Sequence, residues 1–174
     1  KFLKDVQSSQ ESIIILSPFA SLNRIGHLMN YFSVLINRGV DIRIYMKPPY
    51  KQGGHLSEHA EQAINLFTKW DISVIQRIKL HQKIAIIDRK ISWEGSLNIL
   101  SHKDTEEHMR RIEGKNVAEE IIRDLDLDED EAVGNIIDEL CPKCLKKGLR
   151  NKLVVKRSRY GKFKGCSSYP ECKY

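Results

Sequence analysis

The chain has 174 residues, with 29 basic and 23 acidic side chains, a formal net charge of +6 and a hydrophobic share of 41%. This length allows one sizeable apolar core with a small satellite domain. No apolar run approaches the length of a transmembrane helix, which excludes a membrane-spanning protein. No signal peptide is visible, and we expect a cytoplasmic protein.

Apolar periodicity predicts alternating strands and helices over residues 1–125. ESIIILSPF is a predicted buried strand that ends at Pro18. Apolar residues from Leu22 to Ile36 share one face of a predicted helix, which Gly39 ends. The further predicted elements are a strand in DIRIYM, a turn-rich loop in KPPYKQGG, a helix from Leu56 to Trp70, strands in DISVIQRI, KIAIID, ISW and HMRRI, and a helix that Asn116 caps and that runs to Asp124. This order is typical of an α/β domain.

The most informative residues form an ordered polar set around the predicted KIAIID strand. The pattern is His-x-Lys, four residues, Asp, six residues, then Gly-Ser-x-Asn. His-x-Lys alone arises easily by chance on a charged strand, so the interpretation depends on the whole set. Its members are His81, Lys83, Asp88, Gly95, Ser96 and Asn98.

The spacing of these residues has a chemical logic. Placed on a strand, His81 and Lys83 project from the same face. After the turn at Gly95, Ser96 and Asn98 are again two residues apart. Lysine, hydroxyl and amide groups are donors that stabilise the negative charge of a phosphodiester under attack. A neutral imidazole at His81 can attack phosphorus and form a covalent intermediate.

This set resembles the catalytic motif of the phospholipase D superfamily, which includes phospholipases, phosphatidyltransferases, nucleases and tyrosyl-DNA phosphodiesterases. The resemblance implies a mixed sheet flanked by helices and phosphodiester cleavage through a phosphohistidine. It also implies a glutamate after the Asn that orients the histidine. Glu106 and Glu107 are the candidates, and we favour Glu107. For Asp88 we expect contacts with backbone or a neighbouring cation rather than with substrate.

Only one copy of the motif is present, whereas active sites of the superfamily combine two copies. One histidine attacks, and the other protonates the leaving group. We therefore expect a homodimer with one shared site. A second copy in polypeptide outside this sequence is the open alternative, because the chain begins at Lys1 without a Met.

All four cysteines lie in the last 34 residues, as Cys141-x2-Cys144 and Cys166-x5-Cys172. Two such pairs suit a tetrahedral zinc site, and zinc supplies folding energy that so short a segment lacks. Disulfides are an alternative that would require an oxidising compartment. A thioredoxin-like redox pair would require a βαβ context that does not surround CPKC. We expect one structural zinc per chain.

Residues 141–174 closely resemble the C-terminal zinc ribbons of bacterial type IA topoisomerases, down to the RYGKFKGCSSYPECKY ending. This resemblance implies DNA binding, chiefly to single strands. The charge distribution agrees, because this segment has 11 basic residues and one acid, which leaves 18 basic and 22 acidic residues in 1–140.

Aromatic and basic residues alternate in this segment, as in proteins that bind single strands by stacking and phosphate contacts. Phe163 and Tyr169 have an alternative role in the ribbon's own small core. The predicted DNA-binding residues are Lys156, Arg157, Arg159, Tyr160, Lys162, Phe163, Lys164 and Tyr174.

Eight carboxylates lie between Asp124 and Glu139. We interpret residues 126–140 as a solvated acidic linker between a catalytic domain at 1–125 and the ribbon at 141–174. The alternative is a segment that mimics DNA and occupies the ribbon when substrate is absent.

Together these features predict a phospholipase D-like nuclease that acts on DNA as a homodimer and needs no divalent metal for catalysis. Two alternatives remain open. One is a non-catalytic DNA-binding module of a larger helicase-like or translocase-like protein. The other is a lipid phosphodiesterase, which would need an apolar surface facing lipid.

Overall fold

The computed structural model describes residues 1–101, 106–128, 136–158 and 161–174. The chain folds into two compact units, Lys1–Asp130 and Glu131–Tyr174. Within the described residues no helix has the length and apolar character that a bilayer crossing requires.

The first unit alternates helices and strands around one sheet, as the sequence predicts. Its elements are α1 (Phe2–Ser8), β1 (Ser12–Leu16), α2 (Leu22–Asn37), β2 (Asp41–Met46), a 3-10 turn (Pro49–Lys51), α3 (His55–Lys69), β3 (Ser73–Gln76), β4 (Ile84–Ile87), β5 (Ile91–Gly95), β6 (Met109–Glu113) and α4 (Lys115–Asp124). The helix α1 was not predicted.

The six strands form one mixed sheet in the order β3-β2-β1-β4-β5-β6. β1, β2 and β3 are parallel, whereas β4, β5 and β6 pair in antiparallel fashion. The carboxyl ends of β1, β2, β3 and β5 therefore meet the amino ends of β4 and β6 at one edge. We call this edge, which carries Leu16, Met46, Ile84, Gly95 and Met109, the carboxyl edge.

The main core lies between one face of the sheet and the helices α1, α2 and α3. Alternate residues of the strands supply it because successive side chains point to opposite faces. Its fully buried members include Ile13, Ile15, Leu28, Phe32, Ile44, Ala63, Phe67 and Ala85. On the other face, the buried Tyr45 hydroxyl donates to the Leu127 carbonyl at 2.8 Å, which fixes the segment after α4.

Two local predictions differ from the structure. His81 and Lys83 lie in the loop before β4 and not on the strand, which begins at Ile84. All four residues of β4 are buried, whereas His81 is exposed, so the strand begins where the chain enters the core. The helix α4 begins at Lys115 rather than after a cap at Asn116, because the chain turns at Gly114, whose N–H donates to the Lys90 carbonyl.

The second unit is a three-stranded antiparallel sheet in the order β7-β8-β9. Its elements are β7 (Ile136–Leu140), α5 (Pro142–Leu145), β8 (Lys152–Ser158) and β9 (Gly161–Cys166). β7 falls within the segment predicted to be the acidic linker, where it forms a strand by backbone pairing with β8. Residues 129–135 of that segment lie outside the described residues.

Candidate functional site

Three loops of the polar set meet at the carboxyl edge through backbone hydrogen bonds. The Gly95 N–H donates to the Lys83 carbonyl at 3.2 Å. The next N–H, that of Ser96, donates to the His108 carbonyl at 2.9 Å. These bonds join the His-x-Lys loop, the Gly-Ser-x-Asn turn and the start of β6, so parts of the chain that are distant in sequence become neighbours.

Gly95 is required by the closeness of this approach. A Cβ atom built at Gly95 would lie 1.9 Å from the His108 carbonyl oxygen and 2.8 Å from its carbonyl carbon. Both are backbone atoms that cannot move aside alone, so a side chain here would force β5 and β6 apart. The glycine of the motif is therefore explained by the packing of the two strands.

His81 is exposed at this edge, and its backbone N–H donates to the Gln82 side chain at 3.1 Å. The Lys83 ammonium donates to the His81 carbonyl at 2.8 Å. The lysine side chain thus folds back over the peptide of the histidine. This arrangement holds a cation beside the proposed nucleophile.

Ser96 and Asn98 follow on an anchored turn. The Ser96 hydroxyl accepts the His108 N–H at 3.0 Å. The turn is tied to the loop after β1, because the Leu100 N–H donates to the Ser17 hydroxyl at 3.2 Å. The side-chain oxygen of Asn98 is buried and has no hydrogen-bond partner in the described part of the chain. Buried acceptors are usually satisfied, so this oxygen is an exception.

Glu107 is exposed and lies next to His108, directly before β6. Its backbone is therefore beside Ser96, at the same edge as His81. Glu106, the other candidate, is exposed as well. The fold brings either acid to this edge, and the choice of Glu107 as the residue that orients His81 stays a prediction.

Asp88, which the motif groups with the catalytic residues, lies at the opposite end of β4. Its carboxylate accepts the Ser9 hydroxyl at 2.7 Å and the N–H groups of Glu11 and Ser12 at 2.9 and 3.0 Å. Burial raises the pKa of this carboxyl, but the hydrogen bonds outweigh it and hold the pKa below its usual value. In agreement with the expectation from sequence, Asp88 binds backbone.

A cleft of about 450 Å³ opens beside the cluster. Four of its lining residues were missed by sequence reasoning: Gln82, Glu94, His108 and Arg110. Glu94 and Arg110 form an ion pair across β5 and β6. Only the strand register shows that Ile84, Glu94 and Arg110 share a face, so no local sequence signal identifies this cleft.

The four cysteines of the second unit are free thiols whose sulfurs lie within 4.8 Å of one another. Cys141 and Cys172 are separated by 3.7 Å between sulfurs, and Cys144 and Cys166 by 3.5 Å. Zn–S bonds of about 2.3 Å place tetrahedral sulfurs about 3.8 Å apart, so the donor set fits zinc. The disulfide alternative is wrong for this structure.

Hydrogen-bond donors reach two of these sulfurs, whereas burial raises the pKa of the Cys166 and Cys172 thiols. The Asn151 side chain donates to the Cys144 sulfur at 3.4 Å, and the Ser168 N–H donates to the Cys166 sulfur at 3.4 Å. Burial raises the pKa of the Cys141 thiol, but N–H groups and the neighbouring thiols outweigh it and lower the pKa to about 7. Among the residues of this unit whose burial is described, the buried cluster contains the four cysteines and Leu153.

The described members of the predicted DNA-binding set lie on or near β8 and β9. Backbone pairing sets Lys156 opposite Phe163, and Arg157 opposite Lys162. Lys164 and Tyr174 are exposed, and Tyr169 is 57% exposed, so it does not fill the ribbon's core. Arg159 and Tyr160 lie outside the described residues.

Comparison with protein families agrees with this geometry. The family model described as "Cardiolipin synthase, PLD-like domain" matches residues 2–128. The chain belongs to the phospholipase D-like family. Residues 138–174 match the family described as "Topoisomerase DNA binding C4 zinc finger". The resemblances found in the sequence are thus confirmed for both units.

Solved structures share the fold of the phospholipase D-like unit. The phospholipase D family member Nuc from Salmonella typhimurium superposes with a TM-score of 0.60 at 19% identity, over 75% of this chain and 85% of that one. NucT from Helicobacter pylori gives a TM-score of 0.57 at 18% identity, over 75% of this chain and 86% of that one. At these identities the likeness concerns the fold.

The ribbon has a closer relative in sequence. It is 51% identical over 37 residues to DNA topoisomerase 1 of Methanocaldococcus jannaschii, a match that covers 21% of this chain and 4% of that protein. The chain therefore joins a phospholipase D-like unit to a four-cysteine ribbon of a DNA-binding family.

Proposed function

We propose that this chain is a phospholipase D-type nuclease, a phosphodiesterase that cleaves DNA through a phosphohistidine. The observation that carries the proposal is the convergence of the His81 loop, the Ser96 turn and the start of β6 at one exposed edge, through the bonds of Gly95 and Ser96. The residue types that meet there are a nucleophile, a cation and neutral donors, the set that phosphoryl transfer requires.

In the proposed first step, an imidazole nitrogen of His81 attacks phosphorus and the bond from phosphorus to the leaving oxygen breaks. Lys83 turns from the His81 carbonyl, which it reaches at 2.8 Å, to the non-bridging oxygens. The Ser96 oxygen already accepts the His108 N–H, so its own proton is available for the phosphate. Asn98 completes the donor set, and water hydrolyses the phosphohistidine in the second step.

The leaving oxygen needs a proton donor, and the described edge of one chain presents a single motif histidine. We assign the donor to the His81 of a second copy, which makes the active species a homodimer with one shared site. Glu107 accepts one ring N–H of His81 and so orients the other ring nitrogen towards phosphorus.

Delivery of DNA is assigned to the ribbon. Its 11 basic residues against one acid favour a polyanion, and its exposed aromatic residues Tyr169 and Tyr174 suit the stacking of unpaired bases. Zinc holds the ribbon together and takes no part in cleavage, because Lys83 and the neutral donors supply the electrostatic stabilisation.

The test is cleavage of labelled single- and double-stranded DNA in excess EDTA, with zinc retention confirmed by metal analysis. We expect the wild type to cleave, single strands preferred, and His81→Asn to bind without cleaving. A covalent protein–DNA adduct trapped by alkaline denaturation should form with the wild type only.

Binding without cleavage by the wild type would overturn the nuclease proposal. It would instead favour the alternative of a non-catalytic DNA-binding module that serves a larger helicase-like protein.

A further inference from the structure

The loop that follows β2 presents an aromatic side chain and two lysines at the carboxyl edge. We call residues 47–54 the tyrosine loop. Tyr50, on its 3-10 turn, is 64% exposed, and the Lys51 ammonium lies 5.8 Å from the centre of the Tyr50 ring. An exposed ring beside a cation is the pair of groups that single-strand binders use.

The tyrosine loop is anchored rather than free at its base. The Gln52 side chain, which is 8% exposed, donates to the Lys47 carbonyl at 2.8 Å. The Lys47 N–H donates to the Pro18 carbonyl at 3.2 Å, and the Lys47 ammonium lies 5.1 Å from the Phe19 ring centre. These contacts anchor the base of the loop that carries the exposed Tyr50. A ligand that contacts Tyr50 therefore has little of the loop left to order.

A second segment connects this loop with the proposed nucleophile. Residues 77–83 lead from β3 to β4, and in the sheet order β2 and β1 lie between those strands. The Arg77 N–H donates to the Met46 carbonyl at 3.0 Å, directly before the tyrosine loop. Lys79 and Ile78 are exposed on this crossing, two and three residues before His81.

The charges at this edge complement a nucleic acid strand. The loop stretches 17–21, 47–54, 77–83 and 95–101 contain five basic residues and no Asp or Glu, although the guanidinium of Arg77 donates to the carbonyls of Leu125 and Asp126. The acids Glu106 and Glu107 lie beside the proposed nucleophile instead. The five basic residues are Lys47, Lys51, Arg77, Lys79 and Lys83.

We propose that the tyrosine loop and Lys79 bind an unpaired stretch of the DNA strand that is cut at His81, with a base stacked on Tyr50 and phosphates on Lys51 and Lys79. This inference rests on the proposed nuclease function. β2 and β4 are two strand spacings apart, about 10 Å. That distance lies within the reach of a few nucleotides of one strand.

The first test compares KM for a thymidine oligonucleotide with KM for an abasic oligonucleotide of the same length. We expect the wild type to prefer the base-bearing strand, and Tyr50→Ala to lose at least about fivefold of that preference, because stacking on one ring contributes that much. Tyr50→Phe should restore it. Trp70→Ala is the matched control, since Trp70 is an exposed aromatic residue (42%) that lies before β3, at the opposite edge.

A second measurement does not depend on cleavage. The 174-residue chain with His81→Asn is irradiated with an oligonucleotide that contains 4-thiothymidine, and the cross-linked peptides are mapped. We expect cross-links in the tyrosine loop as well as in the ribbon. Cross-links confined to the ribbon, or an unchanged base preference in Tyr50→Ala, would overturn the inference while the nuclease proposal stands. Cross-links in the tyrosine loop of a chain that cleaves nothing would retain the DNA surface and remove the nuclease.

Discussion

Ser96 and His108 are bound to each other twice, since the Ser96 N–H donates to the His108 carbonyl and the His108 N–H donates to the Ser96 hydroxyl. The second bond uses the hydroxyl as an acceptor and orients its proton away from β6. The residue thus joins two strands and presents a donor with the same side chain.

Replacement of Ser96 separates these roles. We expect Ser96→Ala to keep the β5–β6 backbone pairing and to lower kcat by about a hundredfold, the usual effect of removing one donor to a developing oxyanion. Steady-state kinetics on a DNA substrate measures this. Ser33→Ala, on the helix α2, is the control. A Ser96→Ala enzyme as fast as the wild type would show that the hydroxyl only joins the strands.

Gly95→Ala should damage the site through the backbone. The added methyl would lie 1.9 Å from the His108 carbonyl oxygen, and such overpacking costs about 1–3 kcal/mol. We expect a lower unfolding midpoint in urea and at least a tenfold loss of activity in the folded variant. Gly26→Ala, where a Cβ meets nothing within 4 Å, is the matched control and should retain both.

The carboxylate of Asp88 should make stability depend on acidity. Its pKa in the folded chain lies below the usual value of 3.8, so its contribution is present above that pH and is lost as the pH falls through the folded pKa. We expect Asp88→Asn to lower the unfolding free energy by about 1–2 kcal/mol at pH 7. The difference from the wild type should shrink at acid pH.

Urea unfolding at pH 7 and in the acid range measures this effect. Asp71→Asn is the control, because Asp71 is exposed and lies, like Asp88, at the end of the sheet opposite to the carboxyl edge. Equal losses for Asp88→Asn at both pH values would contradict the ionic origin.

If two copies of the chain share one active site, the activity of a mixture of wild type and His81→Asn can be predicted. Wild type and His81→Asn are unfolded together in equal amounts and refolded, so that a quarter of the dimers are wild-type pairs. Wild type refolded alone at the same wild-type concentration forms twice as many such pairs. The activity of the mixture should therefore be half of that of the wild type alone. Light scattering gives the mass of the species. Activity that stays proportional to the wild-type share would exclude a site built from two copies.

Metal removal should act on one unit. We expect Cys144→Ser, or extraction of zinc with a strong chelator, to abolish the fold of the ribbon and to weaken DNA binding at least tenfold. The thermal transition of the phospholipase D-like unit should stay unchanged, because the described buried residues of its core lie between Val6 and Leu100. Zinc analysis of the intact chain should give one ion, and a metal-free chain with full DNA affinity would contradict the zinc assignment.

Much of the fold and part of the site follow from sequence, because they depend on local patterns. The periodicities of β1, α2 and β2 identify those elements, and the spacing from Cys141 to Cys172 identifies a metal-binding cluster. The cleft lined by Glu94 and Arg110 does not follow from sequence, because it depends on how β4, β5 and β6 are aligned.

Element starts were harder to predict for a related reason. β4 begins after Lys83 because burial, and not apolar character alone, decides where the chain becomes a strand. β7 forms in an acidic stretch because β8 offers it backbone partners, which composition does not show.

The ribbon buries four thiols and Leu153 among its described side chains, so the two units depend on different conditions. Heat and denaturants unfold the phospholipase D-like unit by acting on its apolar core. The ribbon is unfolded by oxidation of its thiols or by loss of its metal. On the proposed function, a chain without zinc would keep its phosphodiesterase site but lose the DNA affinity of the ribbon. Zinc supply would then control which substrates the protein reaches, while the cleavage chemistry stays intact.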